Sequence, residues 1–413
     1  MRRSRRTLRT SHRGGRRRPP ARRSAGAGTA LLITAATATG SCGPSGAGNT
    51  TVADSVGVAI VTNLGQPAPL EWTLDTTRIF GGDESGPATF HLAKASLVDV
   101  DAQGRIYVLE PFEYRISVFD SAAVAIGSMG SQGEGPGELE WPMSVSVVDE
   151  GLAYVHDGAG QLVQLRLGDR AGIESALNYG VIYVHLRHVE ATPHGLLIWA
   201  RAPFAGTESI EELDSRVVRL LSVTGQDTVE LITGKPGHMT TAYYPRCSMT
   251  FSMRQPLAPR TLWSQWGNRV AISAWGGFRI DIMDNHRLVR SVRWAGVGEQ
   301  ELTRSEAEAL LEAKGYLGAC DDDVGESIEK HGFHPRPQVV RSLVVAPDGY
   351  VWVQVATDGA EDRILVLAPE GRIEGVLPEG FPMPLTFLPD GRPLIQVKDP
   401  LDVERIGIGS VVK

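Results

Sequence analysis

One short pattern recurs along this chain of 413 residues and limits what the chain can fold into. A turn built on glycine is followed at once by an apolar run. The turns are Asp101-Ala102-Gln103-Gly104, Asp149-Glu150-Gly151, Thr192-Pro193-His194-Gly195, Trp266-Gly267-Asn268, Pro347-Asp348-Gly349 and Pro389-Asp390-Gly391. The runs that follow occupy 105–109, 152–156, 196–200, 269–273, 350–354 and 392–397. Successive turn glycines are 47, 44, 72, 82 and 42 residues apart. Three of these spacings match one four-stranded repeat unit, and the two long ones carry insertions. Six turns imply six repeats of one β unit.

The clearest unit spans 97–142. Short runs at 97–100, 105–109, 115–119 and 124–129 alternate apolar with polar and stop at turn residues. A period of two bounded by Gly, Pro and Asp predicts strands rather than helices. A glycine-rich connector at 130–137 then leads to a new run at Met143. Four antiparallel strands and a connector make one propeller blade. The expected fold is therefore all-β, a six-bladed β-propeller. The blades fall at about 93–130, 143–178, 184–233, 257–294, 339–377 and 383–413, the last completed by 72–80.

That completion rests on an internal match. Residues 79–90 and 130–139 both end an outer strand, share a Gly-Pro step and lead into a new innermost strand. So 72–80 is expected to be the outer strand of a blade whose other strands lie at the C-terminus. Closing the ring in this way leaves no open edge between first and last blade. Residues 56–62 alternate and read as a further strand. The insertions fall at about 201–214 with 234–256, and at about 295–338. The second holds the one helix expected: Thr303 and Glu306 form a capping-box pattern, Ala307, Leu310 and Leu311 share a face, and Gly315 suits the stop.

Residues 1–42 read as an export signal. Residues 1–23 carry 11 Arg and no acid, and 25–40 are small and apolar. The apolar run is too short to span a membrane. Cys42 after Thr39-Gly40-Ser41 resembles the lipobox of bacterial lipoproteins, although Thr39 replaces the preferred Leu. Cys42 is then the acylated residue; the alternative is a secretory signal with an incidental Cys. The pair Arg5-Arg6 loosely resembles a twin-arginine signal. Residues 43–55, rich in Gly, Ser, Thr and Ala, read as a flexible tether. Without the leader the chain holds 30 basic and 48 acidic residues, a balance of −18. Such a surface argues against nucleic acid as partner and leaves the lipid as the means of membrane attachment. Beyond Cys42 only Cys247 and Cys320 remain, one in each of the two irregular segments. They are either a disulfide joining the insertions or two buried thiols.

The strand and turn signatures resemble NHL-type repeats, carried by 96–108, 115–120, 133–139 and Trp141-Pro142. The segments 349–355, 366–380 and 403–408, with 54–63, look like exported six-bladed propeller proteins of environmental bacteria. The resemblance covers roughly 54–413 and speaks to fold more than to activity. It implies two kinds of relative. One comprises lyases acting on streptogramin antibiotics and peptidyl hydroxyglycine, with a metal or His residues in the channel. The other comprises propellers that only bind partners.

Candidate site residues follow from the channel mouth, where innermost strands begin. They are Trp141 with Pro142 and Met143, His185 and Arg187 with His188, Trp263, Arg341, and Met383 with Pro384. His185 and His188, three apart on a strand, point to opposite faces, which argues against one shared metal. His331 and His334 are expected in a loop, and Asp321, Asp322, Asp323 and Glu326 in a solvated acidic turn. Most tryptophans are expected to wedge between blades. The chain has no GxSxG, HExxH or phosphate-loop motif. The first expectation is an exported, lipid-anchored binding module of the cell envelope with a protein, peptide or carbohydrate ligand and no resident cofactor. The second is a lyase or hydrolase with a divalent metal or His residues at the channel mouth.

Overall fold

The computed structural model describes residues 50–81 and 97–413, apart from 136, 150, 158–160, 168–172, 179–188, 193–194, 202–215, 222–227, 234–238, 317, 319, 321 and 358–359. Residues 42–413 belong to one compact unit.

Three strands come first: β1 (Thr50–Ser55), β2 (Val58–Asn63) and β3 (Thr73–Phe80). A meander follows, made of β4 (Val98–Val100), β5 (Ile106–Glu110), β6 (Arg115–Phe119) and β7 (Ala125–Met129). The short parallel pair β8 (Ser131–Gln132) and β9 (Glu138–Leu139) forms the connector. The second meander is β10 (Pro142–Asp149), β11 (Leu152–Asp157), β12 (Gln161–Arg166) and β13 (Ile173–Asn178). The third is β14 (Val189–Thr192), β15 (Gly195–Arg201), β16 (Arg216–Leu221) and β17 (Thr228–Thr233). A hairpin, β18 (Met239–Tyr244) and β19 (Met249–Arg254), interrupts the series.

The fourth meander is β20 (Leu262–Trp266), β21 (Arg269–Ser273), β22 (Arg279–Asp284) and β23 (Arg287–Trp294). Two helices, α1 (Arg304–Ala313) and α2 (Val324–His331), separate it from the fifth. The fifth is β24 (Val340–Val345), β25 (Val351–Thr357), β26 (Ala360–Leu367) and β27 (Ile373–Val376). The last sheet runs β28 (Pro384–Phe387), β29 (Pro393–Lys398), β30 (Glu404–Val412), and then β3. The register of that last pair takes Thr73 opposite Val412 through Phe80 opposite Ile406. The fold is mostly β, of the propeller type. The innermost strands touch in the order β4, β10, β14, β20, β24, β28, and β28 touches β4.

The alternating sequence explains this stacking. In the fifth sheet Leu343, Val345, Val351, Val353, Leu365 and Leu367 pack toward the fourth, among Ile280, Ile282 and Val292. Their neighbours Val344, Trp352, Ile364 and Val366 pack the other way, against Phe387 of the sixth. Successive side chains leave opposite faces of a strand. A sheet buried on both faces therefore needs apolar residues at nearly every position. A further cluster joins the sixth sheet, through Leu394, Ile406 and Ile408, to the first and second, through Ile106, Val108 and Val155.

Three expectations need correction. Residues 50–55, expected at the end of a flexible tether, are β1, which pairs antiparallel with β2. β2 in turn lies parallel to β23 and widens the fourth sheet to six strands. The segment around 234–256 is not irregular throughout, because it contains the β18–β19 hairpin. Among the described residues the second insertion holds two helices rather than one. α1 carries the capping box read from Thr303 and Glu306, with Ala307 and Leu311 buried. α2 was missed, although Asp323 caps it by accepting from the Glu326 N–H at 2.8 Å. Its buried residues Val324, Ser327, Ile328 and His331 follow a helical period.

Candidate functional site

The mouth of the disc is defined by where the innermost strands begin. Each sheet runs down, up, down and up, so the described connectors between sheets lie on that face. So do the β18–β19 hairpin, helices α1 and α2, and the described turns between second and third strands. Three innermost strands open with the same irregularity. The register skips one residue between Pro142 and Ser144, between Val340 and Ser342, and between Pro384 and Thr386. The skipped residues are Met143, Arg341 and Leu385. In each case the preceding residue, Pro142, Val340 or Pro384, is buried and the skipped residue is less so. A bulge leaves one residue unpaired and re-aims its side chain. Met143, Arg341 and Leu385 thus occupy equivalent positions in their strands; Arg341 is the charged, exposed member, and Leu385 packs against the core shared by the sixth, first and second sheets.

Trp141 stands beside this set. The Asp157 carboxylate at the end of β11 accepts the backbone N–H groups of Glu140 and Trp141. That pins the connector, and the indole is left 74% exposed. Trp141, a candidate mouth residue, is therefore exposed on the connector rather than packed between sheets. Trp263 is buried, packed with Val270, Ile272 and Met283, and serves the core rather than the mouth. The connector itself curls around Glu138, whose carboxylate accepts the Gly135 N–H at 2.7 Å. A Cβ on Gly133 would lie 2.0 Å from that carboxylate, and its φ is +149°, so glycine is required. His185 and Arg187, with His188, lie outside the described residues, as does Cys42.

Above the fourth and fifth sheets the insertions form a cap. Cys247, in the turn of the β18–β19 hairpin, is joined to Cys320 by a disulfide, with Cα atoms 5.9 Å apart. His331 is not in a loop but ends α2, and it is buried. Its Nδ1 lies 2.7 Å from the Thr240 hydroxyl and its Nε2 bonds the Tyr244 hydroxyl. Burial holds the imidazole below its ordinary pKa, Lys330 adds to this, and Asp322 opposes it. Asp322 is not a solvated residue either. It is buried, paired with Lys330 and, at 3.3 Å, with Arg246. Arg246 also forms a two-pronged pair with Glu326 at 2.8 Å. These charges bind hairpin to helix, so the acidic run is cap architecture. His334 lies past α2, its Nδ1 2.7 Å from the Arg336 carbonyl. Among the described residues no three His, Cys, Asp or Glu side chains converge as metal ligands.

Lys314, the C-cap of α1, donates its backbone N–H to Leu310 and Leu311. Its ammonium is held below the usual lysine pKa, first by burial and then by Arg341; Asp362 opposes both. Neither Lys314 nor Arg341 forms a salt bridge among the described residues.

The mouth face also carries exposed apolar side chains. Phe112, between β5 and β6, is 72% exposed, and Leu401, between β29 and β30, is 83% exposed. With Trp141 they come from the sixth, first and second sheets in sequence around the disc. Tyr243 and Met249 are exposed on the hairpin.

No known family model matches the chain, and no curated protein is significantly similar in sequence. Solved structures do resemble it. A putative exported protein from Bacteroides fragilis aligns with TM-score 0.50 at 10% identity, over 86% of this chain and 100% of that one. A member of the DUF4221 family from Bacteroides vulgatus gives 0.48 at 12% identity, over 83% and 99%. Virginiamycin B lyase from Staphylococcus aureus gives 0.39 at 8% identity, over 83% and 100%. At these identities the likeness concerns fold alone.

Proposed function

We propose that this chain is an exported, six-bladed β-propeller that acts as a binding module of the bacterial cell envelope. The order of contacts among the innermost strands, returning from β28 to β4, supports the closed ring. β3 completes the sixth blade. The basic leader of 1–23 and the likeness to a putative exported protein support export. The Cys42 context supports attachment by lipid alone.

The observation that carries the binding reading is the arc of Phe112, Trp141 and Leu401 on the mouth face. Singly exposed apolar residues are ordinary; three large ones on successive sheets of one face mark an interaction surface. Aromatic side chains supply much contact area at little entropic cost. The ligand classes that suit such a face are protein, peptide and carbohydrate.

The test is a peptide and glycan array probed with the purified mature protein, beside metal analysis of the same sample. The expected result is a saturable ligand whose capture falls at least tenfold in Trp141→Ala. Stoichiometric divalent metal with turnover of a ligand would instead establish the lyase or hydrolase reading.

A further inference from the structure

The rim of the disc is guarded at every sheet but one. In five sheets the outermost strand, β7, β13, β17, β27 or β3, meets its neighbour with a register shift. Such bulges twist an edge away from foreign strands. β1, the outermost strand of the fourth sheet, has none: Thr50 through Ser55 run in continuous register with Asn63 back to Val58. It carries no Pro and no basic residue, and Asp54 is its one charge. We infer that this edge is an interface between two copies of the chain, joined antiparallel through β1 about a two-fold axis at Val52.

The hairpin turn sets which backbone groups face outward. Val56 and Gly57 form its two-residue loop, with φ of +55° and +81°, and a type I′ turn requires positive φ at both. Ser55 and Val58 are then the closing hydrogen-bonded pair, and the pairs beyond them alternate. Ala53 and Thr51 turn their N–H and C=O groups to β2, whereas Asp54 and Val52 turn theirs outward. Asn63 fixes the same phase at the far end, because its carbonyl accepts the Ala295 N–H at 2.9 Å, away from Thr50.

The second copy fits this edge because the edge is self-complementary. A two-fold axis in an antiparallel pair sets one residue opposite itself, and that residue must face outward to exchange bonds with its copy. Centring on Asp54 opposes two like charges and shortens the overlap. Centring on Val52 puts Asp54 opposite Thr50 of the second copy. Val52 is 62% exposed, and the strand is exposed on both faces from Thr51 onward. A strand held by one ladder with no packed face gains little support alone, and a second ladder adds it. The contact involves six residues a side, well below the about 1,000 Å² of a stable interface, so the dimer is weak and reversible.

Sedimentation equilibrium of the purified mature protein reads the association, in about 0.3 M salt to screen repulsion between acidic copies. Dimer should accumulate as the protein approaches about 1 mM. Val52→Pro removes an outward N–H and no β1–β2 bond, so association should fall at least about tenfold with an unchanged melting temperature. Val52→Lys and Val52→Glu should each self-associate less. Their mixture should associate at least about threefold more tightly than either alone, because the two side chains meet across the axis. That arm decides the matter where Val52→Pro loosens β1. Monomer throughout the range overturns the inference, as does a dimer indifferent to all three substitutions. An array peptide whose capture is lost in Val52→Pro, without self-association, would assign the edge to a foreign strand and overturn the pairing.

Discussion

The Asp99 carboxylate in the first sheet accepts the backbone N–H of Val147 in the second, at 2.7 Å. The same oxygen takes the Ser146 hydroxyl at 3.2 Å, and the other holds the Val100 N–H at 2.8 Å. The fourth and fifth sheets are joined alike, by Ser264 Oγ accepting the Val345 N–H at 3.1 Å. Innermost strands are side by side without a ladder between them, so a side chain must satisfy the facing backbone donor. Asp99→Ala should therefore lower stability by about 1–3 kcal/mol, and Ser264→Ala by about 1 kcal/mol. Urea unfolding of the purified variants measures both; equal, negligible losses would mean that water replaces the side chains without cost.

His156 predicts a pH dependence. It is buried on β11, opposite Ser144, and neither ring nitrogen has a hydrogen-bond partner among the described residues. Burial lowers its pKa to about 4 from 6.5, against a smaller opposing pull from Asp157. The unfolded chain then binds more protons than the folded one between those values. Stability should fall as pH drops from about 6.5 to about 4, by about 2–3 kcal/mol over the window from this residue. His156→Leu should remove that share of the slope. Parallel denaturation curves for both proteins at pH 7.5 and 4.5 provide the comparison, and identical slopes would exclude the mechanism.

Gly375 tests how the N-terminal segment is held. Leu70 donates to Val376 at 2.8 Å, and Val376 donates to Ala68 at 2.9 Å. A Cβ at Gly375 would stand 2.5 Å from the Ala68 oxygen and 2.7 Å from Leu70. Gly375→Ala should cost about 1–3 kcal/mol by overpacking. Limited proteolysis should then cut near 68–70 before the sheets unfold. An undisturbed cleavage pattern would show that the segment shifts freely.

The Cys247–Cys320 bridge closes a span of 73 residues. Chain entropy alone assigns such a loop about 4 kcal/mol. The cap has its own small core of Ala307, Leu311, Val324 and Ile328. Replacing both cysteines with serine should therefore speed hydrogen exchange in 239–254 and 324–331 before it affects 351–367. Exchange rising everywhere at once would mean that cap and sheets unfold together.

The repeat was legible because each turn glycine precedes an apolar run, and alternation shows directly as two buried faces. Val344 and Val345 illustrate it, one packed on each neighbouring sheet. The capping box at Thr303 and Glu306 was legible for the same local reason. β1 was not: Thr50-Thr51-Val52-Ala53-Asp54-Ser55 is exposed along most of its length, so it shows no burial pattern. α2 was hidden because it is short and polar, although Asp323 with Glu326 offered a cap signal. Asp322 and His331 were misread because their partners, Lys330, Arg246, Thr240 and Tyr244, come partly from a hairpin about 80 residues away.

Local sequence alone determined the strands, their turns and the spacing of the sheets, since these depend on residues within one hydrogen-bonded turn or one alternation. Tertiary structure decided the rest. It set that Asp322 is buried against Arg246 of the hairpin and Lys330 of α2, and that the same Arg246 pairs with Glu326. Those pairings join residues far apart in the chain, and only the packing of sheets and cap brings their charges within reach of one another.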